Sequence, residues 1–292
     1  MDMVSEVQAL VKRLIPWEEL TGKEKVVLVA CLLLIGIQLF VSILNLTPYD
    51  PTKVNLDERF SPPSIAHIFG TDHLGRDVFS RVLAGFKISI YVAALSVLIT
   101  AAFSVPLGMI SGYVGGFLDR FLTFVMDSFY TLPRLVLALL IAFLLGRALH
   151  LNALAIAVAT IPSFFRVARS VTLSVKERTF IEAARASGVS TKRILLKHIS
   201  YHVRIPIVVL SALTIGDSIY LLASLGFLGL GVEPPTPEWG TDLATAREFI
   251  TSGAWWAAFF PGVAIIINTF LFLMLGETLN IILNPLTREK PY

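Results

Sequence analysis

The sequence predicts an all-α membrane protein of six transmembrane helices, and three observations lead there. Apolar residues fill 55% of the 292 positions and charged residues only 15%, well off the soluble average. Mean hydropathy is +0.75. Six apolar runs lie at 26–46, 88–112, 121–145, 151–168, 205–230 and 257–283. Each is near or above the roughly 20 residues with which a helix rising about 1.5 Å per residue crosses a hydrocarbon core of about 30 Å.

Residues 1–25 read as a short amphipathic segment on the cytosolic face. The run at 26–46 follows this mixed-charge stretch and shows no small-residue cleavage pattern after Leu46, so it is expected to be a retained anchor rather than a signal peptide. Segment 47–87 is an external loop rich in turn chemistry, with Pro48, Pro51, Pro62 and Pro63. Within it Val78, Val82 and Phe86 recur at helical spacing, which predicts an interfacial helix leading into span two. Residues 88–283 form a five-helix core and 284–292 a cytosolic tail. Pro106 with Gly108, Pro133 and Pro162 interrupt spans two, three and four. A proline inside a membrane helix frees backbone carbonyls that neighbours or a wet cavity must satisfy, so three broken spans fit a bundle built around a pathway; packing kinks are the alternative for any one of them. The proline cluster from Pro234 to Pro237 should end span five and stiffen an external loop. Trp255 and Trp256 fit an interfacial aromatic belt.

Orientation follows from the basic residues. The formal charge of +3 is small, but its distribution is uneven. Segment 167–204 carries Arg169, Lys176, Arg178, Arg185, Lys192, Arg193, Lys197 and Arg204 against Glu177 and Glu182, whereas 231–254 sets Arg247 against Glu233, Glu238, Asp242 and Glu248. The first is placed inside and the second outside, and six spans then put both termini in the cytosol. Cys31 is the single cysteine, which excludes an internal disulfide framework and a cysteine-based metal site.

The cytosolic loop 169–204 is built to dock. Thr179-Phe180-Ile181-Glu182 matches a capping box, and Ala183, Ala184 and Ala186 favour helix. Gly188 supplies a left-handed closure, after which Ser190 or Thr191 can cap a second helix. That helix places Ile194, Leu195 and Ile199 on one side and Lys192, Arg193 and Lys197 on the other, a face suited to pressing into a groove. The alternative is an amphipathic pair resting on anionic headgroups.

Glu182 to Gly188 (EAARASG) resembles the EAA motif of ABC-importer permeases. Together with Phe69 to Arg81 (FGTDHLGRDVFSR) and Gly226 to Gly240 (GFLGLGVEPPTPEWG), it makes the chain similar to the second, C-type permease subunit of the dipeptide/oligopeptide/nickel uptake group, from about residue 60 onward. The resemblance implies a type I importer bundle forming half of a translocation pathway. It implies a homologous second permease subunit, two cytosolic ATPases that bind ATP and Mg, and an extracytoplasmic solute-binding protein, all in a prokaryotic cytoplasmic membrane. It assigns Glu182, Ala183, Ala184 and Gly188 to ATPase coupling, with Arg185 and Arg193 on the same surface. No cofactor is expected in the chain itself: Gly22-Lys23 lacks the glycine-rich loop and the following Ser/Thr of a phosphate-binding site. After His198-Ile199 the family continues Leu-Pro, whereas here Ser200-Tyr201 follows and proline waits until Pro206; the exit from the coupling helix is therefore expected to be one to two turns longer.

Asp217, with Thr214 and Ser218, falls near the middle of span five. A charge there costs at least about 2.5–3.5 kcal/mol on insertion scales. It therefore faces either the pathway, favouring cationic solutes, or an ionic partner on a neighbouring span or subunit. Asn268 in span six is a further pathway candidate. Asp127 lies one or two turns from Arg120 and is expected to be structural. His67, His73, His150, His198 and His202 are scattered, and no metal site is expected. No Gly-x-Ser-x-Gly, paired intramembrane aspartates or His-Glu-x-x-His argues for an intramembrane hydrolase. An ion-coupled secondary transporter using Asp217 is the rival class. Within the resemblance, peptides are the expected solutes, with metal chelates or oligosaccharides as alternatives.

Overall fold

A computed structural model describes residues 21–283. The amphipathic segment read for the N-terminus and the tail at 284–292 fall wholly or mostly outside them. The described residues fold as helices α1 Gly22–Ile43, α2 Val78–Val114, α3 Gly116–Tyr130, α4 Arg134–Leu145, α5 Leu149–Lys176, α6 Thr179–Ala186, α7 Thr191–Phe227, α8 Trp239–Ala246 and α9 Trp256–Leu283. Five of these are long and apolar enough to cross a bilayer, and α3 with α4 make a sixth crossing if the pair is one span bent by 90°.

The packing of α2 on α5 decides that point. Thr100 donates to the Ala157 carbonyl at 3.1 Å, 57 residues further along the chain. A Cβ at Gly108 would stand 2.6 Å from the Phe165 carbonyl oxygen, and one at Gly112 would stand 2.8 Å from that of Arg169, so the same offset recurs over three turns. The two helices therefore run parallel in close contact, with Thr100, Gly108 and Gly112 forming the small-residue seam that such an approach requires in lipid. Because α2 ends and α5 begins at opposite ends of this pair, residues 115–148 must traverse the whole bundle. The bent pair α3–α4 is thus one broken span. Its break sits at Pro133, where sequence placed it.

The other two expected breaks do not occur. Pro106 lies inside α2 and Pro162 inside α5, and both helices continue through them; tight packing of the two helices on each other holds them through the lost hydrogen bond. The separate interfacial helix is also corrected. Val78, Val82 and Phe86 are the first turns of α2 itself, capped by Asp77, whose carboxylate accepts from the Ser80 amide at 2.7 Å. Helix α2 has 37 residues, about 55 Å at the usual rise, so it projects well beyond the hydrocarbon.

Helix α7 packs antiparallel on α9, with Gly216 against Thr269 to Leu273 and Gly276 against Leu213. Helix α1 leans on α2 and α9 through Leu28, Ile35 and Leu39 and turns Leu32, Leu33, Ile37 and Phe40 outward, as a lipid-facing anchor would.

The end of the bundle where α2 and α5 begin is closed by a cap joining the 69–81 and 226–240 segments. Arg81, almost fully buried, forks onto Asp242 at 2.6 and 3.0 Å and reaches the carbonyls of Pro51 at 2.8 Å and Pro235 at 3.3 Å. Trp239 donates to the Val82 carbonyl at 2.9 Å and Trp256 to that of Thr71 at 3.0 Å. Trp256 is therefore a cap residue, while Trp255 stays half exposed. Gly75, with φ +71, has its Cα side pressed against the Asn55 carbonyl, which leaves no room for a side chain. The proline cluster leads into α8, a helix the sequence reading missed. Its N-cap is Glu238, fully buried, whose carboxylate accepts from the amides of Gly240 and Thr241, both at 2.8 Å.

Two outcomes test this packing. Gly112→Val should lower stability by about 1–3 kcal/mol through overpacking, whereas Gly36→Ala, with nothing near it, should be neutral or stabilising; unfolding temperatures in detergent read both. Burial pushes the Glu238 carboxyl up from 4.5 to about 7. The folded chain then holds a proton that the unfolded chain has released, so this stabilisation is full below about 4.5 and is lost as pH rises through about 7. The unfolding temperature should fall between pH 5 and pH 8, and Glu238→Gln should flatten that dependence.

Candidate functional site

At the far end from the cap, α6 and the start of α7 form a hairpin. Helix α6 closes with a Schellman arrangement: the Val189 amide donates to Ala184 at 3.0 Å and the Gly188 amide to Arg185 at 2.9 Å, with Gly188 at φ +74. The expected glycine closure is therefore present. The expected capping box is not, because the helix starts one residue early. Arg178 takes the extended N-cap position without a side-chain bond, and Thr179 is already helical. Ser190 caps the next helix by position alone.

The apolar side of the hairpin faces inward. Ile181, Ile194 and Ile199 are fully buried with Met109 of α2 and Ala168 and Val175 of α5. This corrects the reading of Ile194, Leu195 and Ile199 as a docking face: they clamp the hairpin to the spans. What remains outside is Phe180, Glu182, Ala183, Arg185, Gly188 and Arg193, all exposed, with Ala184 half-buried. Arg185 is steadied by Tyr113 of α2, at 3.1 Å from its hydroxyl. The loop proper spans only 177–190, since α5 and α7 carry the flanking basic residues on helical extensions. The exit expected after Ile199 does not exist either. A wide π turn at Ile194–Ile199 runs directly into the rest of α7, which is consistent with the absence of a proline at that point.

A second surface runs along the broken span. Arg134, first residue after the Pro133 break, pairs with Asp217 of α7 at 3.0 Å, and their side chains remain 44% and 39% exposed. Asp127 of α3 pairs with Arg166 of α5 at 2.9 Å, with the two side chains 55% and 52% exposed. Arg166 also lies 4.0 Å over the Tyr130 ring. Nearer the hairpin, Asp119 accepts two bonds from Arg169, at 2.6 and 2.7 Å, and one from Ser111. Asp127 thus pairs with Arg166 and not with Arg120, because the bend at Pro133 lays α3 against α5. Asp217 lies about 15 Å from the end of α7, while Arg166 stands near the hairpin end of its apolar run at 151–168. A charge as exposed and as far inside a span as Asp217 is costly against lipid. Water or another polypeptide must cover this face.

The four residues expected to line a pathway are not brought together. Asp217 is on the open charged face. Thr214 and Ser218 are buried, Ser218 facing Ser96 of α2 at 3.2 Å. Asn268 lines a separate groove between α1, α2 and α9, with Gln38, Phe86 and Trp239; its amide nitrogen bonds the Ala264 carbonyl at 3.0 Å. Arg134 and Arg166 were missed in sequence, although each is a lone cation inside an apolar run, which is signal enough to mark them.

A helical bundle with an open charged face across its middle and an exposed hairpin clamped to three spans defines a membrane permease. Residues 104–289 match the family model described as "Binding-protein-dependent transport system inner membrane component". Over 276 residues the chain is 37% identical to the dipeptide transport system permease protein DppC of Alkalihalophilus pseudofirmus, covering 92% of this chain and 90% of that protein. It is 38% identical over 240 residues to the probable D,D-dipeptide transport system permease protein DdpC of Escherichia coli K12, covering 82% and 80%. Identity to the glutathione transport system permease protein GsiD of Escherichia coli O6:K15:H31 is 39% over 241 residues, covering 82% and 79%. The fold is similar to a chain of the inward-facing MetNI methionine ABC transporter, with TM-score 0.56 and 16% identity, over 68% of this chain and 93% of that one. The chain belongs to the binding-protein-dependent transport system inner-membrane component family. It is a multi-pass permease subunit of an ABC-type importer, in a family of transport proteins rather than enzymes.

The clamp makes a local prediction. Ile181→Ala should cost about 2–5 kcal/mol of side-chain burial, enough to loosen the hairpin before the spans unfold. Trypsin cleavage after Arg178, Arg185 and Lys192 should then be faster, by roughly tenfold, with the bundle's helical circular dichroism unchanged.

Proposed function

We propose that this subunit imports peptides, forming half of a pathway whose other half is a homologous permease. Two ATPases on the cytosolic side bind ATP and Mg and supply the energy, and an external binding protein delivers the solute. The observation that carries the peptide reading is the identity of 37–39% with DppC, DdpC and GsiD over most of both chains, since their names record dipeptides and glutathione as cargo. In this reading the hairpin faces the cytosol, with both termini, and the cap faces outward, in agreement with the excess of Lys and Arg around the hairpin.

Glu182, Ala183, Ala184, Arg185, Gly188 and Arg193 form the surface that meets the ATPases. Support comes from their exposure beside a buried clamp: force applied to the exposed side reaches α2, α5 and α7 through Ile181, Ile194 and Ile199. Coupling of this kind needs contiguous packed elements, and the hairpin has them. Asp217 faces the pathway, with Thr214 and Ser218 behind it holding α7 to its neighbours, while Asn268 belongs to the groove beside α1.

The test is uptake of a dipeptide by the reconstituted complex in proteoliposomes. Uptake should require ATP and the binding protein. Ala183→Asp, on the exposed side of α6, should lower uptake by about tenfold or more, as expected when a charge enters a packed interface, and should leave the unfolding temperature of the isolated subunit in place. Uptake by this chain alone, driven by a proton gradient, would overturn the reading.

A further inference from the structure

Among the ion pairs of this chain, Arg134–Asp217 differs in construction from those that hold the fold. Arg81–Asp242 and Arg169–Asp119 are forked, two-point contacts of mostly buried side chains. Arg134 touches Asp217 through a single nitrogen, Nη1, on a single oxygen, Oδ2. Both side chains are about two-fifths exposed, and Arg134 borders a concavity lined by Tyr130, Pro133, Ala159 and Ser163. The guanidinium has five N–H donors and the carboxylate two oxygens, so the single bond between them leaves most of their bonding capacity unused.

We propose that Arg134 and Asp217 form a transient station for a zwitterionic solute within the membrane. The inference rests on the peptide-import reading and names what that pathway selects. A solute carrying both signs can exchange with the pair in one step: its carboxylate takes the guanidinium while its ammonium takes the aspartate. No charge is left unmatched at any stage. A purely cationic or anionic solute that engages one member strands the other, and a lone charge at this depth is strongly disfavoured. The open, single-bond geometry is what makes exchange feasible, because only one contact must break. The second half-exposed pair, Asp127–Arg166, stands closer to the hairpin and offers both signs again one stage further along. Asp217 therefore does not make the route cation-selective, as it would without Arg134.

The experiment uses the complete transporter in proteoliposomes and three probes: dialanine, N-acetyl-dialanine and dialanine amide. For each probe the variant is compared with the wild type, so that the preference of the binding protein cancels. Arg134→Gln leaves an unpaired aspartate. It should lower dialanine uptake by roughly tenfold, in line with the loss of a charge-assisted bond, and shift relative uptake toward the amide. Asp217→Asn should shift it the opposite way, toward the N-acetyl peptide. Should either single variant fail to assemble, judged by ATP hydrolysis, the double variant Arg134→Gln/Asp217→Asn decides, and should discriminate less among the probes than the wild type does. Equal loss of all three probes in both variants, or a double variant with wild-type discrimination, overturns the station and leaves a structural ion pair. Absence of ATP-dependent dialanine uptake by the wild type would instead count against peptide import itself.

Discussion

Close contact between α2 and α5 is the constraint from which the other features of this subunit follow. Thr100, Gly108 and Gly112 meet Ala157, Phe165 and Arg169 at one fixed offset, an approach possible only where one helix offers hydroxyls or bare Cα atoms. Two parallel helices adjacent in this way need a connection that travels back across the bundle. The intervening chain meets that need with a span broken at Pro133. The break exposes Arg134, brings it to Asp217, and lays α3 so that Asp127 and Asp119 reach Arg166 and Arg169.

The same pair of helices seats the hairpin. Met109 from α2 and Val175 from α5 enclose Ile181, so the short helix α6 cannot move without them. At the opposite end Arg81, near the start of α2, gathers Pro51, Pro235 and Asp242 into the cap. Helix α2 thus carries a packed fixture at each end, the column that the proposed coupling would use.

The charged face has a different physical character from either fixture. In the cap, by contrast, the buried carboxylate of Glu238 is satisfied inside the chain by the amides of Gly240 and Thr241. Along the broken span the pairs are open, and their full solvation requires something beyond this subunit. On the proposed reading, in which this subunit contributes half of a pathway, such a surface is expected, since its hydrophilic side is complete only when the other half is present.

Much of this was legible in the sequence. Apolar runs located every span, Pro133 marked the break, and the alternation of Glu182, the alanines and Gly188 marked the hairpin and its left-handed closure. Local rules failed where neighbours overruled them. Thr179 did not cap α6, because the chain entered the helix one residue sooner. Pro106 and Pro162 did not break α2 and α5, both helices continuing through them while packed closely on each other. Helix α8 escaped notice because its eight residues are too few for a periodicity to rise above the surrounding turn chemistry. Sequence by itself determined which segments cross the membrane and which residues carry charge there, since hydropathy and residue type are local properties. Only the tertiary structure decided that Asp217 faces Arg134, that Asn268 lies in a different groove and that the isoleucines of the hairpin point inward. Those facts depend on the rotation of each helix about its axis, which is set by the neighbour it packs against.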